Sequence, residues 1–206
     1  MIFRFIFFLI SLIPSNLIKI ILFNLFPNVI IDKKSKIGFG LIFKGKKIKI
    51  INSKIGNFNF INCKNFTIID SKIANNNFFY KINKFTAKNF SIIGSHNVIS
   101  SYKEHNKIYI KMKNSQISSN FRLNLTKNLF LGNKVILGGM NTKIIEDAND
   151  NPFQSTIFLK NIFVGSNVVI KNGVRVNKNI IVGANTLIDV DILSSGKYFS
   201  KNVDIC

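Results

Sequence analysis

Residues Val164 to Leu193 divide into five consecutive blocks of six: VGSNVV, IKNGVR, VNKNII, VGANTL and IDVDIL. Each opens on an aliphatic residue, namely Val164, Ile170, Val176, Val182 and Ile188. A helix turns every ~3.6 residues, so positions six apart do not share a face. A flat strand repeats every two residues instead. A short fixed period marks a solenoid whose repeats stack on one another. The stretch predicts a parallel β-helix.

The rhythm begins much earlier in the chain. Steps of six from Ile31 land on Ile37, Phe43, Lys49, Ile55, Ile61, Thr67, Ile73, Phe79 and Phe85, all apolar except Lys49 and Thr67. Ile37-Gly38, Ile55-Gly56 and Ile73-Ala74 recur eighteen residues apart, so three sixes make one coil. A small residue after the aliphatic suits a tight corner between short strands. Lys49 and Thr67 mark an irregular register. A small insertion is expected between Phe85 and Phe90, and an outward bulge over residues 100–116. Leu125, Leu131 and Leu137 resume the pattern before an interruption from Ile145 to Asn161, which holds Pro152 and several acids. Insertions of that length in a compact array are often functional.

Residues 1–29 form a separate apolar segment ahead of the coils, which take up residues 30–206. The run Phe5–Ile13 is well short of the roughly 20 residues a spanning helix needs. A small-x-small signal-cleavage site does not follow it. Two short helices are predicted, over residues 2–13 and 16–26, with Ser15 as N-cap of the second. Asn16, Lys19 and Asn24 interrupt the apolar surface of that second helix. Two readings stand open: contact of residues 1–27 with a membrane surface, or packing under the first coil or against another subunit.

Charge needs an explanation, because 29 basic and nine acidic side chains give +20 in 206 residues. Dense lysine is the footprint of a nucleic-acid binder. The lysines are spread along the chain, however, and no helix-turn-helix, zinc finger or RNA-binding signature accompanies them. Lys, Asn, Ile and Phe are enriched together, as coding in an AT-rich genome would produce. Nucleic acid is the weakest of the partner readings. Anionic partners such as lipid, nucleotide phosphates or a lipid-linked diphosphate suit the surface better. Cys63 and Cys206 are too few and too far apart for a disulfide framework or a zinc site, so a reducing cytosol is expected.

The residues resemble a known family. VGANTLIDVDILSSGKYFSKNV is similar to the last coil of the hexapeptide-repeat acyltransferases, where an Ile-Gly-Ala-Gly-Ser-Val-Val-Thr-Lys-Asp pattern precedes a Gly-Asn-Pro exit. Gly183, Ala184, Thr186, Asp191, Gly196 and Asn202 match it, while Asn185 and Val203 depart from it. The resemblance covers roughly residues 30–203. It implies an all-β fold: a left-handed parallel β-helix of triangular coils, trimeric, with acetyl-CoA lying along its outside between subunits. It implies Gly165, Gly183 and Ala184 beside the pantetheine arm, and Lys171, Arg175, Lys197 and Lys201 near the phosphates.

LGNKVILGGMNTKIIEDAND resembles a narrower branch, the O-acetyltransferases of surface polysaccharide synthesis. There, a coil of this kind leads to a Thr-His pair whose histidine is the catalytic base. Glu146-Asp147 stands at that position here. Acyl transfer from a thioester to a sugar hydroxyl needs a base that takes the hydroxyl proton, and an imidazole with pKa near ~6.5 suits neutral pH. A carboxylate near ~4 is weaker unless burial raises it. Backbone N–H groups can stabilise the oxyanion.

Asp147 is therefore the expected base, with Glu146, Asp150 and Asn124 as sugar-binding candidates. His96, at a coil corner, is the outside candidate; His105 sits in the bulge beside Glu104. No metal is expected, since the acids lack a ligand spacing. The expected function is acetyl-CoA-dependent O-acetylation of a sugar in surface polysaccharide or lipopolysaccharide synthesis, at the cytoplasmic face of the membrane. The alternative is a catalytically degenerate β-helix that binds a glycan precursor or acts as an assembly scaffold.

Overall fold

The computed structural model describes residues 2–26, 29–43, 48–65, 67–83, 85–87, 89–101, 110–125, 128–145 and 155–199. The described strands pair only in parallel and wind into a left-handed β-helix with three faces. Val29–Ile31 begins the first face, Lys36–Ile37 the second and Ile42–Phe43 the third. The first two faces join into one sheet because Leu129–Leu137, Thr156–Val164 and Arg175–Val182 run through the corner between them.

The six-residue rhythm is the inward-facing column of each face. On the second face Ile37, Ile55, Ile73, Ile93, Ile117, Leu137, Val164 and Val182 lie in register, each beside the next. The third face stacks Ile61, Phe79, Ile99, Leu123, Ile144, Ile170 and Ile188 in the same way. All are buried. Each such side chain contributes about 1.5–3 kcal/mol through its removal from water. Stacking joins them into one continuous core.

Lys49 and Thr67 do break the pattern, and the register shows how. The inward residues of the first face are their successors, Ile50 and Ile68, which pair with one another and are fully buried. The expected insertion at Phe85–Phe90 is split between two places. The register slips where Asn62 and Cys63 face Tyr80 and Ile82, so residue 81 is extra. A second extra residue lies between Ala87 and Ile93, six apart where Ile68 and Ile73 are five apart. The interruption after Ile145 is also shorter than expected. Thr156, Ile157, Phe158 and Lys160 already pair with the coil before, so the break ends at Ser155.

Corners follow from sterics. At the second-to-third corner Gly38, Gly56, Gly94, Gly138, Gly165 and Gly183 occupy one line up the coil. A β-carbon on Gly38 would sit 2.5 Å from the Gly56 carbonyl carbon, and one on Gly94 would sit 2.7 Å from the Ser118 carbonyl carbon. Two residues further on, the backbone turns left-handed. Among the described residues sixteen non-glycine positions have positive φ, and ten of them are asparagine. Asparagine tolerates that conformation better than other side chains with a β-carbon. The asparagine content thus has a structural reason beyond coding bias.

The N-terminal segment forms the two expected helices, α1 (Ile2–Leu12) and α2 (Asn16–Asn24), one or two residues shorter than predicted at their ends. Pro14 prevents α1 from continuing. The Ile18 backbone N–H donates to Ser15 Oγ at 3.4 Å, so Ser15 is the N-cap. Phe7 of α1 packs on Phe23 and Phe26, with ring centroids 5.8 and 4.6 Å apart.

These helices close the open end of the core, and their polar residues face the coil. Asn24 accepts from the Ile31 N–H and donates to the Ile31 carbonyl on the first face. Asn16 accepts from Ile37 N–H and donates to the Ser35 carbonyl on the second. Ser11 accepts from Leu41 N–H at the start of the third. An end coil presents unpaired backbone groups that invite edge-to-edge pairing. Here side chains occupy them on all three faces. Among the described residues no helix is long and apolar enough to cross a membrane.

Candidate functional site

The coil's two long insertions share one edge. From the inward residue of the third face to that of the next first face, the chain advances seven positions at Ile61–Ile68, thirteen at Ile99–Met112 and fourteen at Ile144–Phe158. At the other two corners the advance stays close to six, as from Phe158 to Val164 and from Val164 to Ile170. The connection from Ser101 to Ile110 and that from Ile145 to Ser155 therefore leave and re-enter the coil along the third-to-first edge. The acids Glu146, Asp147 and Asp150, like His105 and Lys201, lie outside the described residues.

The ends of the second connection are well placed. Ile145, the residue before Glu146, is in register with Lys171 one coil further on. Ile157 is in register with Arg175, which is exposed. Between them the chain turns at Gly173, whose φ of 95° a β-carbon would strain. The Gly173 N–H donates to Thr156 Oγ1 at 2.7 Å, and the Asn172 N–H to the Ile145 carbonyl at 2.9 Å. The Arg175 N–H donates to an Asp191 carboxylate oxygen at 2.8 Å, and its own carbonyl accepts from Ile192. The base of the acid-bearing connection is thus tied to a firm turn. On the coil preceding Lys143–Ile145, Arg122 and Leu123 pair with Lys143 and Ile144, so Asn124 follows along the same edge.

The remaining sequence candidates lie elsewhere. Gly165, Gly183 and Ala184 sit at the second-to-third corner, and stacking accounts for their small size. A β-carbon on Gly165 would lie 2.7 Å from the Ala184 nitrogen, and one on Gly183 would enter the Phe199 ring. Lys197 is on the second face beside Ile181. His96 is exposed at the second-to-third corner with φ of 59°, and one ring nitrogen, Nε2, lies 3.0 Å from Asn76 Nδ2. It occupies the left-handed corner position that Asn76 and Asn120 fill in the coils on either side. The cofactor candidates divide between two edges: Lys171 and Arg175 on one, the small residues and Lys197 at or near the other.

No family model matches the chain, and no curated protein matches it.

Two features went unnoticed in the sequence. Arg122 and Lys143 are exposed and in register on the outer wall of the third face, to which they add positive charge. Phe60 and Phe78 stack on that wall, ring centroids 4.7 Å apart and planes 11° from parallel, with Tyr80 5.9 Å from Phe78. Both sets occupy alternate positions to the inward column. Reading the strands at period two, after the period-six column was fixed, would have found them.

Proposed function

We propose that this chain is an acetyl-CoA-dependent O-acetyltransferase acting on a sugar hydroxyl in surface polysaccharide or lipopolysaccharide synthesis. The observation that carries the reading is the gathering of the coil's two long insertions on one edge, with Lys171 and Arg175 in register with the flanks of the connection that holds Asp147. Fixed cations at the base of a loop suit the phosphates of the donor. Asp147 takes the proton of the acceptor hydroxyl as it attacks the thioester carbonyl, and the thiolate of CoA leaves. Glu146, Asp150 and Asn124 hold the acceptor ring.

The two sets of cofactor residues lie on different edges of one coil stack. A single donor molecule reaches both only where one protomer's third-to-first edge meets a neighbour's second-to-third corner. A threefold assembly provides that arrangement, and we propose a homotrimer for this reason.

The experiment is incubation of the purified protein with labelled acetyl-CoA and a panel of sugar acceptors. Label in the sugar, lost on Asp147→Asn, supports the reading. Failure to bind CoA at millimolar concentration sinks it. A second reading, a non-catalytic β-helix that binds a glycan precursor or serves as a scaffold, draws on one observation: His96, an imidazole held on the coil, faces a different edge from the acid-bearing connection. Glycan binding that persists in Asp147→Asn, with no turnover by the wild type, favours it.

A further inference from the structure

We infer that the outer surface of the two N-terminal helices docks on an anionic lipid bilayer. The polarity of this cap is inverted. Its polar side chains Ser11, Asn16, Lys19 and Asn24 point at the first coil and are occupied by backbone groups there. Its apolar side chains point both ways: Phe7, Ile10, Ile20 and Phe23 cover the core, while Phe5, Leu9 and Leu12 of α1 and Leu17, Ile21 and Leu25 at α2 face outward. Leu25 is 73% exposed and Phe5 64%. A solvent-facing helix surface ordinarily carries the charged residues. This one carries six exposed large aliphatic and aromatic groups on two adjoining short helices, which marks a surface awaiting a partner.

Charge identifies that partner. The first 31 residues hold no acidic side chain. At the rim of the cap Lys33, Lys34 and Lys36 are exposed. Lys36 begins an in-register column with Lys54 and Lys72 up the second face. Parallel strands stand about 4.8 Å apart, so these like charges repel one another unless an anion shares them. The whole chain carries +20. An apolar surface bordered by Lys33, Lys34 and Lys36 fits the interface of a bilayer with acidic headgroups. A second copy seated cap to cap would bring two sets of the exposed Lys33, Lys34 and Lys36 against one another. The coil then stands with its axis away from the membrane, and its third-to-first edge is open to the water above.

The test uses the full chain and vesicles made either of phosphatidylcholine alone or of equal parts phosphatidylcholine and phosphatidylglycerol. The wild type is expected to sediment with the acidic vesicles, far less with the neutral ones, and to be released by salt. Leu17→Ser with Ile21→Ser removes two outward-facing apolar side chains, and lowers the vesicle partition at least ~10-fold. Lys33→Glu with Lys36→Glu does the same through charge. The sequence contains no tryptophan, so Leu25→Trp places a lone indole on the patch. Its emission shifts to the blue on acidic vesicles and is quenched by brominated lipid. Circular dichroism and melting of each variant confirm that the coil is folded. The inference is overturned if the wild type ignores acidic vesicles, or if the indole emission of Leu25→Trp stays put when that variant sediments with them. It is likewise overturned if sedimentation velocity shows the patch buried in a dimer that vesicles do not dissociate.

Discussion

Asn77 sits one coil along from Asn59 inside the third face, and both its backbone N–H and its Nδ2 donate to Asn59 Oδ1, at 2.9 and 3.0 Å. Asn77 Oδ1 in turn accepts from the Asn97 N–H, and Asn97 Oδ1 from the Phe121 N–H. The column links buried polar groups through four successive coils and ends where Phe121 replaces asparagine. Asn97 Nδ2, next to that end, has no hydrogen-bond partner among the described residues. Removing the Asn77 side chain orphans the Asn97 N–H, at about 1–3 kcal/mol, and takes one of two donors from Asn59 Oδ1. Asn77→Ala is expected to lower stability by about 2–4 kcal/mol, and Asn97→Ala by clearly less. Chemical denaturation of the two variants decides the order.

The left-handed corners permit a test in the opposite direction. Phe90 is 73% exposed with φ of 62°, a conformation a bulky residue adopts at a cost. Phe90→Asn is expected to stabilise the protein by about 1 kcal/mol, read as a rise in Tm. His96→Asn places the neighbouring coils' own residue at its corner and should stabilise by a few tenths. It should also leave acetyl transfer intact, and a lost activity would return the imidazole to the reaction.

Lys19 carries a pH signature. It is 2% exposed, its Nζ donates to the Ile37 carbonyl at 2.7 Å, and it lies 4.6 Å from the centre of the Phe39 ring. Burial lowers its pKa beneath the ordinary 10.5. Between the lowered value and 10.5 the unfolded chain binds more protons than the folded one, so stability rises with pH across that window. Below it the contribution is flat. Lys19→Met should abolish the slope, which urea midpoints across the alkaline range would show.

Gly165 separates packing from cofactor contact. A β-carbon there meets the Ala184 nitrogen at 2.7 Å, closer than ordinary contact. Gly165→Ala is expected to cost about 1–3 kcal/mol with no CoA present. An unchanged Tm with weakened CoA binding would reverse that assignment.

The proposed donor site predicts a kinetic split. Arg175→Ala and Lys171→Ala should raise KM for acetyl-CoA with kcat little altered, since they bind the donor without touching the reacting atoms. Asp147→Asn should lower kcat by ~10²-fold or more with KM little changed. Steady-state rates at varied donor concentration distinguish the two classes.

Period six alone specified the coil, because each inward aliphatic is positioned by the few residues on either side of it, and a corner needs only small and left-handed residues at the right spacing. The helix break at Pro14 and the cap at Ser15 were local in the same sense. Register between coils was not local. Nothing near Lys49 or Thr67 says that Ile50 and Ile68 take the inward places, and nothing in either insertion says that both leave from one edge. Those facts arise only when strands many residues apart lie side by side. The direction of the N-terminal helices was also hidden. Asn16, Lys19 and Asn24 read as interruptions of an apolar surface until the first coil's unpaired backbone groups turned them inward and left the apolar side facing out.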